Sequence, residues 1–93
     1  MKLYIDDLRT PPAGWTLAQT SDEALYYLNT WFKSIDEVSF DHDLGGDDTT
    51  RRVVMWMAEF DVWPPVIRVH TANPVGREWL EGTIDRYGPG VTR

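Results

Sequence analysis

Three short apolar runs, Lys2–Ile5, Glu37–Asp41 and Val66–Thr71, each break off into a cluster of acidic or polar side chains. Between them lie stretches whose apolar residues recur at helical spacing, so the chain reads as strands joined through helices. That alternation implies an α/β fold with a mostly parallel sheet and right-handed crossovers. In such a sheet ligands bind at the carboxyl ends of the strands. Asp6/Asp7, Asp41/Asp43 and His70/Thr71/Asn73 all fall at that edge. Three separate segments converging on one place carry more weight than any one of them alone.

The punctuation between the runs fills in the order. Pro11-Pro12 rule out a helix after the first strand, because paired prolines remove amide donors and fix the backbone. A short loop there leads into a second strand, about Trp15–Gln19. Thr20 and Glu23 have capping-box spacing and start a helix to about Phe32, with Ala24, Leu25, Leu28 and Trp31/Phe32 on one stripe. Gly45-Gly46 form a loop, and Asp47, Asp48 and Thr49 are N-cap candidates for a helix to about Phe60 with Val53, Met57 and Phe60 inward. Pro64-Pro65 open the fourth strand, and Asn73-Pro74 start a last helix that stops at Gly88-Pro89-Gly90. The order is β-β-α-β-α-β-α, with strands arranged 2-1-3-4 and about three helices in one domain spanning residues 1–93.

Strand parity separates two faces. Leu3/Ile5, Val38/Phe40 and Ile67/Val69 are wholly apolar, whereas Tyr4/Asp6, Ser39/Asp41 and Arg68/His70 are mixed. A parallel sheet covered on both sides is apolar on both. The pattern therefore predicts helices on one face, leaving the mixed face for the last helix or for a second subunit in a homodimer.

Composition excludes several classes. The chain is 42% hydrophobic and 26% charged, as in an ordinary globular domain. It has no cysteine, which removes disulfides and zinc–thiolate sites and points to a reducing cytoplasm. No run approaches the roughly 20 apolar residues of a membrane span. A net charge of −6 disfavours passive binding to nucleic acid, so a nucleotide substrate needs arginines or a metal at the site. Five tryptophans supply large buried area, and core packing is their expected role; Trp15 beside the proline loop has base stacking as its other reading.

The gathered carboxylates carry the chemistry. Like charges raise each other's pKa unless a cation or donors absorb the repulsion. Hard oxygen ligands suit Mg²⁺ or Mn²⁺, so Asp6, Asp7 and Asp41 are expected to hold one such ion. Asp43 either joins them or caps the turn at Gly45. Asp41 either attacks phosphorus itself or holds the metal whose bound water attacks. His70 and His42 are candidate acid–base groups beside the cluster, the structural alternative being a histidine satisfied by a backbone carbonyl. His70 shares the parity of Asp6 and Asp41. Thr71 is placed to bond a phosphoryl oxygen with help from the amides opening the last helix. Asn73 is a candidate substrate-binding residue, with capping of that helix as its structural role. Arg9 is a candidate for phosphate binding, while Arg77 reads as a surface arginine. Arg51 and Arg52 sit unfavourably in the first turn of their helix and hint at an anion.

These residues resemble the phosphoacceptor receiver domain of two-component signalling. Ile5-Asp6-Asp7 is similar to its acidic pair, Asp41 to its phosphoacceptor within Asp-x-x-Leu-Pro-Gly, and Thr71-Ala72 to its Thr/Ser-Ala. Two features depart from that pattern: Pro11-Pro12 replace the first helix, and neither a fifth strand nor its phosphoryl-clamping lysine has a counterpart. A narrower family resembles the stretch from Lys2 to about Trp79 more closely, namely the small cyclic-phosphate processing receiver-like domains. The likeness lies in Leu3-Tyr4-Ile5-Asp6-Asp7-Leu8-Arg9, Ser39-Phe40-Asp41-His42-Asp43-Leu44-Gly45 and Val69-His70-Thr71-Ala72-Asn73-Pro74-Val75-Gly76. It implies a truncated receiver fold and a metal-dependent phosphoesterase acting on a cyclic or terminal phosphate of a nucleotide or RNA end. Two other functions fit the residues: a weakly catalytic receiver-like signalling or binding module, and an acidic interaction or inhibitor protein.

Overall fold

The computed structural model describes Met1–Arg93. Its elements follow the expected order: β1 (Lys2–Ile5), β2 (Thr16–Ala18), α1 (Ser21–Trp31), β3 (Glu37–Phe40), α2 (Arg51–Phe60), β4 (Val66–Val69) and α3 (Pro74–Tyr87). The four strands are all parallel, in the order β2-β1-β3-β4. The crossovers β2-α1-β3 and β3-α2-β4 run in the same direction across the sheet. Sharing one hand, they place their helices on one face.

That face is the apolar one. Leu3, Ile5, Val38, Phe40 and Ile67 join Ala24 and Leu28 of α1, Val53, Val54 and Met57 of α2, and Leu80 and Ile84 of α3 in a single core cluster. The last helix therefore shares the face of the other two and does not cover the mixed one. Lys2 and Arg68 are exposed there, and Tyr4, Trp15 and Leu17 half-buried. With Pro11-Pro12 and no helix between β1 and β2, no helix lies on the second side, which is left bare. Thr92 pairs with Ile67 through its amide (2.7 Å), so the C-terminal residues run along the outer edge of β4.

Local chemistry accounts for the element ends. Thr20 Oγ1 accepts the Glu23 amide and caps α1. Asn73 Oδ1 accepts the Val75 and Gly76 amides and caps α3 behind Pro74. The start of α2 differs from expectation. Helix begins at Arg51, after Thr50, and none of the three proposed residues is its N-cap. Asp48 instead accepts the Ser21 amide at the start of α1, and Thr50 ties α2 to β3 by donating to the Asp41 carbonyl at 2.6 Å. Gly45 and Gly46, at φ 91° and 56°, give the intervening loop its left-handed turn. Gly76 is needed for another reason: a Cβ there would lie 2.4 Å from the His42 ring.

The aromatic residues also depart from expectation. No tryptophan is among the fully buried residues; Trp56, Trp63 and Trp79 pack around the core rim, and Trp31 and Phe32 at the end of α1 are exposed, as is Phe60. The inward positions are filled by Ala24, Leu28, Val53, Val54 and Met57. With a layer only one helix deep, the indoles are too large to be enclosed and lie across its margin.

Candidate active site

Register assembles the site. Ile5 pairs with Phe40, and Phe40 with Val69. The next residue of each strand, Asp6, Asp41 and His70, therefore comes out side by side in one row at the carboxyl edge. One ligand atom from each of the three lies within 4.8 Å of the others. A pocket of about 500 Å³ is lined by Asp6 and Asp41 of this row together with Asp7, Arg9, Asp43, Gly45, Thr71 and Asn73, while His70 stands behind Asp6 outside the lining.

Asp6 is the anchor. It is 1% exposed; Oδ1 accepts the amides of Leu8 and Arg9 at 2.9 and 3.0 Å, and Oδ2 lies 2.9 Å from His70 Nε2. Burial works to raise its pKa, but the two amides and the imidazole outweigh burial and hold it below the ordinary 3.8. Asp41 accepts the His42 amide on Oδ1 at 2.8 Å. Asp7 points into the loop, its Oδ2 3.2 Å from where a Gly45 Cβ would stand. Asp43 is spread between two partners, His42 Nδ1 at 3.1 Å and Asn73 Nδ2 at 2.9 Å. The Asn73 bond is foremost in holding its pKa below 3.8. Asp43 thus ties the β3 loop to the cap of α3 while lining the pocket together with Asp6, Asp7 and Asp41.

Both imidazoles are occupied. His70 Nδ1 lies 2.7 Å from Ser39 Oγ, Nε2 meets Asp6, and the ring stacks on Tyr4 at 4.4 Å. Burial lowers the His70 pKa below 6.5 despite the attraction of Asp6 and Asp41, which keeps it neutral at pH 7. His42, 5% exposed, accepts from Arg51 Nε at 2.9 Å on Nε2 and meets Asp43 on Nδ1. Accepting from a guanidinium requires a lone pair on Nε2, so the proton sits on Nδ1. In this geometry neither histidine has a nitrogen left for a substrate.

The remaining candidates divide. Thr71 Oγ1 accepts the Asn73 amide at 3.2 Å, and its hydroxyl proton has no acceptor within the protein; the residue lines the pocket. The first amides of α3 are all taken by Asn73, those of Val75 and Gly76 by its side chain and that of Arg77 by its carbonyl. The helix start therefore gives Thr71 no help. Arg9 donates to the His70 carbonyl at 3.0 Å, and no other cationic side chain lines the pocket. Arg77 holds the Val69 and Thr71 carbonyls and Glu81. Arg51 and Arg52 are consumed within the protein, by His42 and by Ser21 and Asp22, so their position needs no external anion. Sequence reasoning passed over Ser39 and Tyr4 as site residues. Their parity with Asp6 and Asp41 was the available signal.

Asp6 and Asp41 offer carboxylate oxygens, the donor type that hard divalent cations take, within 4.8 Å of each other and of a His70 ring nitrogen.

The family model of the cyclic-phosphate processing receiver domain matches residues 1–86. No curated protein and no solved structure matches the chain. No helix is long and apolar enough to cross a membrane. The matched span holds all four strands and the pocket they build, and this chain belongs to the cyclic-phosphate processing receiver domain family.

Proposed function

We propose that this domain is a divalent-cation-dependent phosphoesterase acting on a cyclic or terminal phosphate of a nucleotide or RNA end. The observation that carries the reading is the pocket at the carboxyl edge of the sheet that Asp6, Asp7 and Asp41 line together, with Asp6 and Asp41 side by side in one row. Four aspartates and one arginine line that pocket, a balance that repels a phosphate unless a cation is added. Asp6, Asp7 and Asp41 would hold Mg²⁺ or Mn²⁺, which when bound stabilises the charge developing on the phosphoryl oxygens. Asp6 enters already ionised, since its amide donors stabilise the carboxylate. Thr71 donates its hydroxyl proton to a phosphoryl oxygen, and the outer face of Arg9 takes another. His70 serves by holding Asp6, because both its nitrogens are engaged.

The test is a panel of 2′,3′- and 3′,5′-cyclic nucleotides with Mg²⁺ or Mn²⁺. Turnover should require the cation and vanish in Asp41→Asn with the fold retained; full activity in that variant, or in chelator, overturns the reading. The receiver-like alternative draws on Asp41, which has one carboxylate oxygen free of internal partners and sits at the end of β3. It expects a phosphodonor to add one phosphoryl mass, lost in Asp41→Asn. A second copy docked on the bare sheet face is a further part of the proposal. It predicts a dimer mass at high micromolar concentration, and a monomer there removes it.

A further inference from the structure

Ser39, His70 and Asp6 form a continuous chain across the bare face. Ser39 Oγ is 2.7 Å from His70 Nδ1, and His70 Nε2 is 2.9 Å from Asp6 Oδ2. The order is that of a Ser-His-Asp triad, yet at 5% exposure Ser39 does not reach a substrate, which leaves it no role as a nucleophile. The direction of each bond follows from the end of the chain. Asp6 already accepts two amides on its other oxygen, the pattern of an ionised carboxylate. It can only accept from His70, so the proton sits on Nε2. A neutral ring then has its lone pair on Nδ1, and the Ser39 hydroxyl donates to it. Tyr4, stacked within 7° of parallel, fixes the plane of the ring.

We propose that Ser39 is a positioning residue: with Tyr4 it locks His70 as the Nε2–H tautomer aimed at Asp6, and so orients the Asp6 carboxylate toward the pocket. This rests on Asp6 being a ligand in the proposed cation site. A histidine that holds a ligating carboxylate acts one step removed from the metal, and losing such a partner costs about 10–100-fold in metal affinity.

Imidazole ¹⁵N shifts of the whole chain at neutral pH, without metal, decide the tautomer in the wild type, Ser39→Ala and Ser39→Thr. The wild type should show a protonated Nε2 and a hydrogen-bonded, unprotonated Nδ1 on His70. Ser39→Ala should move the Nδ1 signal toward that of a free lone pair and weaken Mn²⁺ binding in calorimetry, by less than the about 10–100-fold that loss of His70 itself would cost. Ser39→Thr, which restores a hydroxyl, should recover both. A wild-type proton on Nδ1, or shifts unchanged in Ser39→Ala, overturns the lock. Altered shifts with unchanged Mn²⁺ affinity overturn the link to Asp6. If the wild type takes up no Mn²⁺, the cation reading and that link fall together, and the lock is still judged by the shifts alone.

Discussion

The two histidines stand at the same edge of the sheet and on opposite sides of it. His42 turns toward the helices, wedged against Gly76 of α3, accepting from Arg51 of α2 and meeting Asp43. His70 lies toward the bare face between Ser39 and Asp6, with Tyr4 on its ring. Both are saturated with hydrogen bonds, yet one joins packing elements and the other bears on a buried carboxylate in the pocket. A histidine near an acidic cluster is thus not defined by proximity. What its partners do defines it.

Substitutions should separate the two sides. The largest effect falls on Asp41, which sits between them: Asp41→Asn should abolish cation-dependent turnover while the melting temperature stays near that of the wild type. Next come the histidines themselves. His70→Ala should lower cation affinity by about 10–100-fold with a modest change in stability. His42→Ala should do the reverse, costing about 1–3 kcal/mol by emptying a buried position and removing the acceptor of Arg51, read as a melting temperature lower by about 4–8 °C per kcal/mol. If His42→Ala lost activity without stability, the contrast would break. Gly76→Ala sharpens the packing side. Its Cβ collides with His42, and overpacking of that kind costs about 1–3 kcal/mol.

The smallest effect is a pH dependence. The folded pKa of His70 lies below 6.5, so the unfolded chain takes up its proton first as pH falls. Stability from this group is complete above pH 6.5 and declines below it. A second decline follows below 3.8, where Asp6 and Asp43 have the same sign. Melting temperatures between pH 7.5 and 5 should fall in the wild type and hold steady in His70→Gln. Equal slopes in the two would place the titrating group elsewhere.

Much of this was legible in the residues. Strand runs, Pro11-Pro12, the Thr20 and Asn73 caps and the apolar parity all act locally, and the expected order, topology and one-sided helical cover agree with the fold. What could not be read depends on register and partners. Parity puts Tyr4, Ser39 and His70 on one face, but only the pairing of Phe40 with Val69 brings His70 beside Asp41. Asp48 looked like a cap for α2 and instead accepts the first amide of α1, to which the loop through Gly45 and Gly46 brings it. The charges of Arg51 and Arg52 suggested an anion because their internal partners lie nine and thirty or more residues away.

Calorimetric titration of the wild type and Asp41→Asn with Mg²⁺ and Mn²⁺ tests the central claim, that Asp6, Asp7 and Asp41 share one divalent cation. The account predicts uptake of one ion by the wild type and a marked loss of affinity in the variant. No uptake of either ion at millimolar concentration, or equal uptake by both proteins, would contradict it.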